Sequence, residues 1–286
     1  MTTVRNRTRA IAVAAGLLTL FAAALHAPAA AAPADGGAEY VALGDSGAAT
    51  TGVQRFDPSA PLPCVRSTAN TPKLVAADLG LRLDDRTCSG ARIPHLTTDQ
   101  RPGIAPQFDG LGPNTRLVTV HIGANDTEMT RFVIACHLAG LRGGRCADPS
   151  WDPAIDGISA AYSAALHRIT MLAPNAKVFV DGWPQYVRDG GCPALVGLRP
   201  EDAAVVQRAF DRLNSVVASA AAEYGATYID TRTPSAGHDM CAPEGVRWFD
   251  PILATETLVP YHPTLTGMRG VADVVVAAIR ASGFAG

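Results

Sequence analysis

The chain has 286 residues, of which 48% are hydrophobic and 17% charged, with a formal net charge of −2. That length and balance suit one large α/β domain with a well-buried core and exclude a disordered or fibrous chain. Basic residues are scattered with no run that would track phosphates, which excludes a nucleic-acid partner.

The chain opens with Arg5, Arg7 and Arg9, an apolar run from Ile11 to about Leu25, and Ala29-Ala30-Ala31-Ala32. This is the pattern of a secretory signal peptide over residues 1–32, with residues 33–286 as the exported domain. The apolar run is shorter than the ~20 residues a spanning helix needs. Removing the segment takes away three arginines and no acidic residue, moving the charge from −2 to −5. All six cysteines (Cys64, Cys88, Cys136, Cys146, Cys192 and Cys241) follow it. An even count in an oxidising compartment suggests three disulfides, whose connectivity sequence alone leaves open. No Cys-x-x-Cys occurs, so a thiol-metal site is not expected, and no cofactor is called for.

Tyr40-Val41-Ala42-Leu43 reads as a buried strand running into Gly44-Asp45-Ser46-Gly47, a tight polar turn that would lift a serine to the sheet's edge. Residues 47–70 are rich in Gly, Pro, Ser and Thr and read as a surface loop. Thr71-Pro72 starts a helix that Gly80 stops. Residues 81–88 return as a second strand ending in Cys88-Ser89-Gly90-Ala91. After a loop from Pro94 to Pro113, Leu117–Ile122 is a third strand, ending in Gly123-Ala124-Asn125-Asp126. Residues 131–151 read as a loop excursion, and Ile155 to Leu172 as one amphipathic helix. A fourth strand at 177–181, a helix from Pro200 to Tyr224, a short strand at 227–230, a loop over 231–261 and a last helix from Thr266 to about Ala281 complete the chain. Strands alternating with helices require parallel pairing, giving a three-layer α/β/α domain around a sheet of about five strands. Sites in such sheets lie beyond the strands' C-terminal ends.

Four stretches line up in order, three at those ends and the fourth before the last helix: Gly44-Asp45-Ser46, Ser89-Gly90-Ala91, Gly123-Ala124-Asn125-Asp126 and Tyr261-His262-Pro263. Each has a bland explanation alone: Gly90 relaxing a turn, Asn125 capping a helix, His262 as a satisfied polar residue. Together they resemble the SGNH, or GDSL-type, hydrolases over essentially the whole exported chain, and the cysteine placement resembles the family's secreted actinobacterial lipases and esterases. The resemblance implies a flavodoxin-like fold, a Ser46 nucleophile, His262 as its base, and an oxyanion hole from the Ser46 and Gly90 N–H groups and the Asn125 side chain. It also implies sequential disulfides: Cys64–Cys88, Cys136–Cys146 and Cys192–Cys241. These are the groups acyl transfer requires. Among the other histidines, His121 alone lies close to the third block, and reads as a residue behind the site.

Two departures stand out. Many relatives carry an aspartate three residues before the histidine, and this chain has Val259. The expectation is a Ser-His dyad in which the Val259 main-chain carbonyl orients His262, with Glu256 or Asp250 as carboxylates that would fold back if it does not. Gly47 follows the serine where relatives often have a larger side chain. An apolar acyl groove is expected from loops containing Phe132, Leu138, Trp183, Tyr186, Trp248 and Phe249. The expected activity is hydrolysis of carboxylic esters, acyl esters or lipids, by a secreted monomer. Polysaccharide deacetylation, acyl transfer, and a binding protein that has lost the chemistry are the alternatives.

Overall fold

The computed structural model describes residues 38–50, 55–146 and 149–284. The expected export segment, residues 1–32, lies outside them, as does the tail to residue 37.

Five apolar runs make the sheet. They are Tyr40–Gly44 (β1), Leu83–Asp85 (β2), Leu117–His121 (β3), Lys177–Asp181 (β4) and Thr227–Ile229 (β5), paired in parallel in the order β2-β1-β3-β4-β5. Every residue of β1 and β3 is buried, as expected of central strands covered on both faces, and this is why they read as continuous apolar runs rather than alternating ones. The helices are Ser46–Ala49 (α1), Thr71–Leu79 (α2), Met129–Leu141 (α3), Trp151–Asp156 (α4), Ser159–Leu172 (α5), Pro200–Glu223 (α6) and Leu265–Ala281 (α7). Helices α2 and α7 pack on each other, and α4 and α5 pack on α6. From β1 the chain crosses one way to β2, and from β3 the other way through β4 to β5. Right-handed crossovers in opposite directions put helices on opposite faces, and the reversal between β1 and β3 opens a crevice at their C-terminal ends.

Local chemistry fixes the helix ends. Asn70 accepts the Lys73 N–H at the start of α2, which stops at Gly80 in the left-handed conformation, φ 68°. Thr264 accepts the Gly267 N–H to open α7. Two stretches differ from the sequence expectation. The excursion over 131–151 is largely helical, since α3 buries Met129, Phe132, Val133, Cys136 and His137 on one face. The helix expected over 155–172 is broken at Gly157 and Ile158 into α4 and α5. The cysteines are joined as Cys64–Cys88, Cys136–Cys146 and Cys192–Cys241.

Candidate active site

Strand β1 ends at Gly44, and Asp45 caps the single turn of α1 by accepting the Gly47 N–H at 2.9 Å. Ser46 is therefore the first helical residue, at the C-terminal edge of the sheet. The chain before α7 brings His262 to it: His262 Nε2 lies 2.8 Å from Ser46 Oγ. The other ring nitrogen, Nδ1, is 2.9 Å from the Pro260 carbonyl oxygen. A carbonyl only accepts, so Nδ1 carries the proton and Nε2 is left as acceptor for the serine hydroxyl. Burial holds the His262 imidazole below its ordinary value of 6.5, against the opposing effect of the Pro260 carbonyl.

The carbonyl that orients His262 is thus Pro260's, and the expectation for Val259 is corrected. Val259 O instead accepts from Thr257 Oγ1 at 2.8 Å. Tyr261 has φ 60°, a left-handed conformation that is strained for a tyrosine, and it turns the chain so that Pro260 faces the ring two residues on. That conformation is held from outside: the Tyr261 hydroxyl donates to His137 Nε2 at 2.6 Å, while His137 Nδ1 donates to Val196 O at 2.6 Å. Neither carboxylate considered for this role reaches His262. Asp250 Oδ2 accepts the N–H groups of Thr255, Glu256 and Thr257 at 3.2, 2.8 and 2.6 Å. Glu256 and Asp250 both pair with Arg247, at 3.1 and 2.8 Å.

Ser46, Asn125 and His262 line one cleft of about 840 Å³, open to solvent. Its apolar lining comes from Met129, Val133 and Ile134 of α3 and from Ile252, Val259 and Pro260, with Trp183 and Tyr186 among the remaining residues. Asn125 Nδ2 donates to Ala91 O at 2.9 Å, tying the loop after β3 to the loop after β2. Gly90 is next to that carbonyl, exposed, with φ 73°, and is not among the residues lining the cleft. Of the expected groove residues, Phe132, Trp248 and Phe249 are core. Leu138 is exposed in a groove that shares Asn125 and Ile134 with the cleft.

Three supporting groups escaped the sequence reading. Asp126, beside Asn125, accepts the Ile93 N–H at 3.0 Å, and burial lifts its carboxyl to about 6. Asp181, at the end of β4, holds His121. His137 braces Tyr261. Asp126 was visible as the last residue of the third block. The other two lie far from any motif, and only their place at a strand end or on a buried helix face marks them.

The GDSL-like Lipase/Acylhydrolase family matches residues 42–269. The chain belongs to that family. Lipase 2 of Streptomyces coelicolor is 40% identical to it, over 92% of this chain and 93% of the relative. The crystal structure of an extracellular lipase from Streptomyces rimosus superposes with a TM-score of 0.70 at 30% identity, covering 84% of this chain and 98% of that one. A phospholipase A1 from Streptomyces albidoflavus gives 0.69 at 27% identity, covering 85% and 98%. This GDSL-family chain is a carboxylic ester hydrolase with the three-layer fold of those lipases. Among its described residues no helix is long and apolar enough to cross a membrane.

Proposed function

We propose that the protein is a secreted lipase or esterase that cleaves acyl esters through a Ser46–His262 dyad. The observation that carries this is the pair of bonds on one imidazole, 2.8 Å to Ser46 Oγ and 2.9 Å to Pro260 O. Ser46 Oγ attacks the ester carbonyl carbon while His262 Nε2 takes its proton, and the imidazolium so formed gives that proton to the departing alkoxide. Water, activated in turn by His262, then hydrolyses the acyl-serine. The Pro260 carbonyl fixes the tautomer and lies against the imidazolium's Nδ1–H, a dipole where a triad would have a full charge.

The developing oxyanion is received by the Ser46 N–H, which as the first N–H of α1 has no acceptor within the helix. The Gly90 N–H and the second N–H of the Asn125 amide complete the hole, the first being oriented by Ala91 O. Each donor is worth about 10²-fold or more in rate. The apolar cleft between α3 and residues 252–260 takes the acyl chain, in keeping with relatives named lipase and phospholipase A1. Export by cleavage of residues 1–32, leaving a domain from 33 to 286, agrees with the three disulfides and with the similar extracellular lipase of Streptomyces rimosus.

The test is turnover of p-nitrophenyl esters from acetate to palmitate by the exported form, beside Ser46→Ala. Turnover of longer chains that vanishes in the variant is the expected result. Activity on acetate alone would point to a deacetylase. Absence of turnover on every ester, with the protein folded, would move the assignment to acyl transfer or binding.

A further inference from the structure

His121 closes β3 directly beneath the nucleophile turn. Its main-chain carbonyl accepts the Asp45 N–H at 2.9 Å. Its side chain fills the space on the open face of Gly47: a Cβ there would lie 2.4 Å from His121 Nε2 and 2.7 Å from Cδ2. Real carbon contacts never come so close, so position 47 is glycine because an imidazole occupies the side-chain site. The ring is fixed from behind, where Nδ1 donates to Asp181 Oδ2 at 2.8 Å, and it packs on Trp183 at 4.7 Å between centroids. Asp45, whose Oδ1 holds the Gly47 N–H, is buried, and its Oδ2 has no hydrogen-bond partner among the described residues.

We propose that His121, anchored by Asp181, is a positioning residue for Ser46: its ring supports Gly47 from below, and its charge offsets that of Asp45, so the turn keeps one conformation. This rests on Ser46 being the nucleophile. The electrostatics agree. Burial opposes the charged ring, but the charge and hydrogen bond of Asp181, and then the charge of Asp45, raise His121 to about 9. The other ionisable groups around the cluster are Tyr40 on β1, Tyr162 on α5, Tyr186 after β4, Tyr228 on β5 and Asp126 after β3. Burial keeps the four tyrosines neutral, so carboxylates alone set the charge this ring must balance. A raised histidine contributes its stability in full below 6.5 and loses it as pH rises through about 9. Burial pushes the Asp45 carboxyl up while the charge on His121 pulls it down; above that pH the turn loses this cation and loosens.

The test is a double-variant cycle at positions 47 and 121, with a pH profile. Gly47→Ala should lower kcat about 10²-fold in the wild-type background, the scale of a small misplacement of a reacting group. In the His121→Ser background, where the site under position 47 is empty, the same change should cost less than about 3-fold, the gap being the coupling. Wild-type kcat/KM should decline as pH rises through about 9; His121→Asn should lower kcat with KM unchanged and abolish that decline. Equal costs of Gly47→Ala in both backgrounds would overturn the proposal. So would a His121→Asn enzyme with wild-type kcat and the same alkaline decline, and that profile decides alone if His121→Ser does not fold. Turnover that survives Ser46→Ala would instead remove the nucleophile assignment, while melting temperatures of the cycle variants would still report the Gly47–His121 contact.

Discussion

At His262 a peptide carbonyl stands where a triad has a carboxylate, and the difference is one of charge. A carbonyl fixes the ring and its tautomer as well as a carboxylate does, but it stabilises the imidazolium less, so burial prevails and the ring stays neutral to lower pH. The two nearby acids serve the loop instead. Asp250 gathers three N–H groups and Arg247, itself only 8% exposed at the side chain. Asp250→Asn should therefore cost stability, about 2 kcal/mol from weakening the three N–H bonds and removing one of the ion pairs of Arg247, which keeps Glu256, while kcat of the folded variant stays within about 10-fold of wild type. Glu256→Gln should change kcat even less. A loss near the ~10⁴-fold of a missing triad aspartate in either would assign that carboxylate to His262. Ser46, Asn125 and His262 were legible because each sits in a short motif, the first two at strand ends and the third just before the last helix. Pro260 was not, because the motif marks where an aspartate side chain would start. Which carbonyl reaches the ring depends on the left-handed turn at Tyr261, and that turn is imposed by His137 from another element.

Among the elements, α3 shows how a legible pattern can be masked. Met129, Phe132, Val133, Cys136 and His137 fall at helical spacing, but Gly143-Gly144 and the cysteine pair give the stretch the look of a loop. The helix matters because it supplies one wall of the cleft and the brace for Tyr261. The disulfides divide along similar lines. Cys64–Cys88 closes 24 residues and fixes the start of the loop that carries Gly90, where the Ser89 N–H also donates to Cys64 O at 3.1 Å. Cys192–Cys241 closes 49 residues, and neither of its cysteines lines the cleft. The longer loop gives the larger chain-entropy effect, each bridge contributing about 2–4 kcal/mol. Replacing Cys192 and Cys241 by serine should lower the melting temperature more. Replacing Cys64 and Cys88 should lower kcat more, by about 10-fold, the cost of a loosely held oxyanion donor. Thermal melts and single-turnover rates on the two double variants separate the effects, and a reversed ranking in kcat would detach Gly90 from the reaction.

For the whole molecule, strand number and parallel pairing were readable from alternating apolar runs, whereas strand order was not, since which neighbour a central strand takes is decided by packing of both helical layers. That order puts β1 beside β3, and with them buried Asp45, His121 and Asp181 and half-buried Asp126 under the cleft. The consequence is a definite pH dependence of folding. Asp126 is raised from 3.8 to about 6, so its contribution is complete below 3.8 and is lost as pH rises through about 6. His121 is raised from 6.5 to about 9 and loses its contribution as pH rises through about 9. Asp57 runs the other way: against partial burial, hydrogen bonds from Ser59 and Lys73 hold it at about 2, so its support is present above 3.8 and fades as pH falls through about 2. Stability should accordingly peak near 3.8, fall from there to about 6 as Asp126 loses its contribution, and fall again from 6.5 to about 9. In the proposed dyad His262 acts as a neutral base, lowered from 6.5, so turnover should be greatest on the alkaline side of the stability maximum. Denaturant melts of Ser46→Ala across this range, set beside kcat/KM of wild type, test both. Asp126→Asn should flatten the acidic half of the stability fall and leave the part near 9 intact. A fall unchanged in both halves would mean that the site's buried charges do not set how the fold responds to pH.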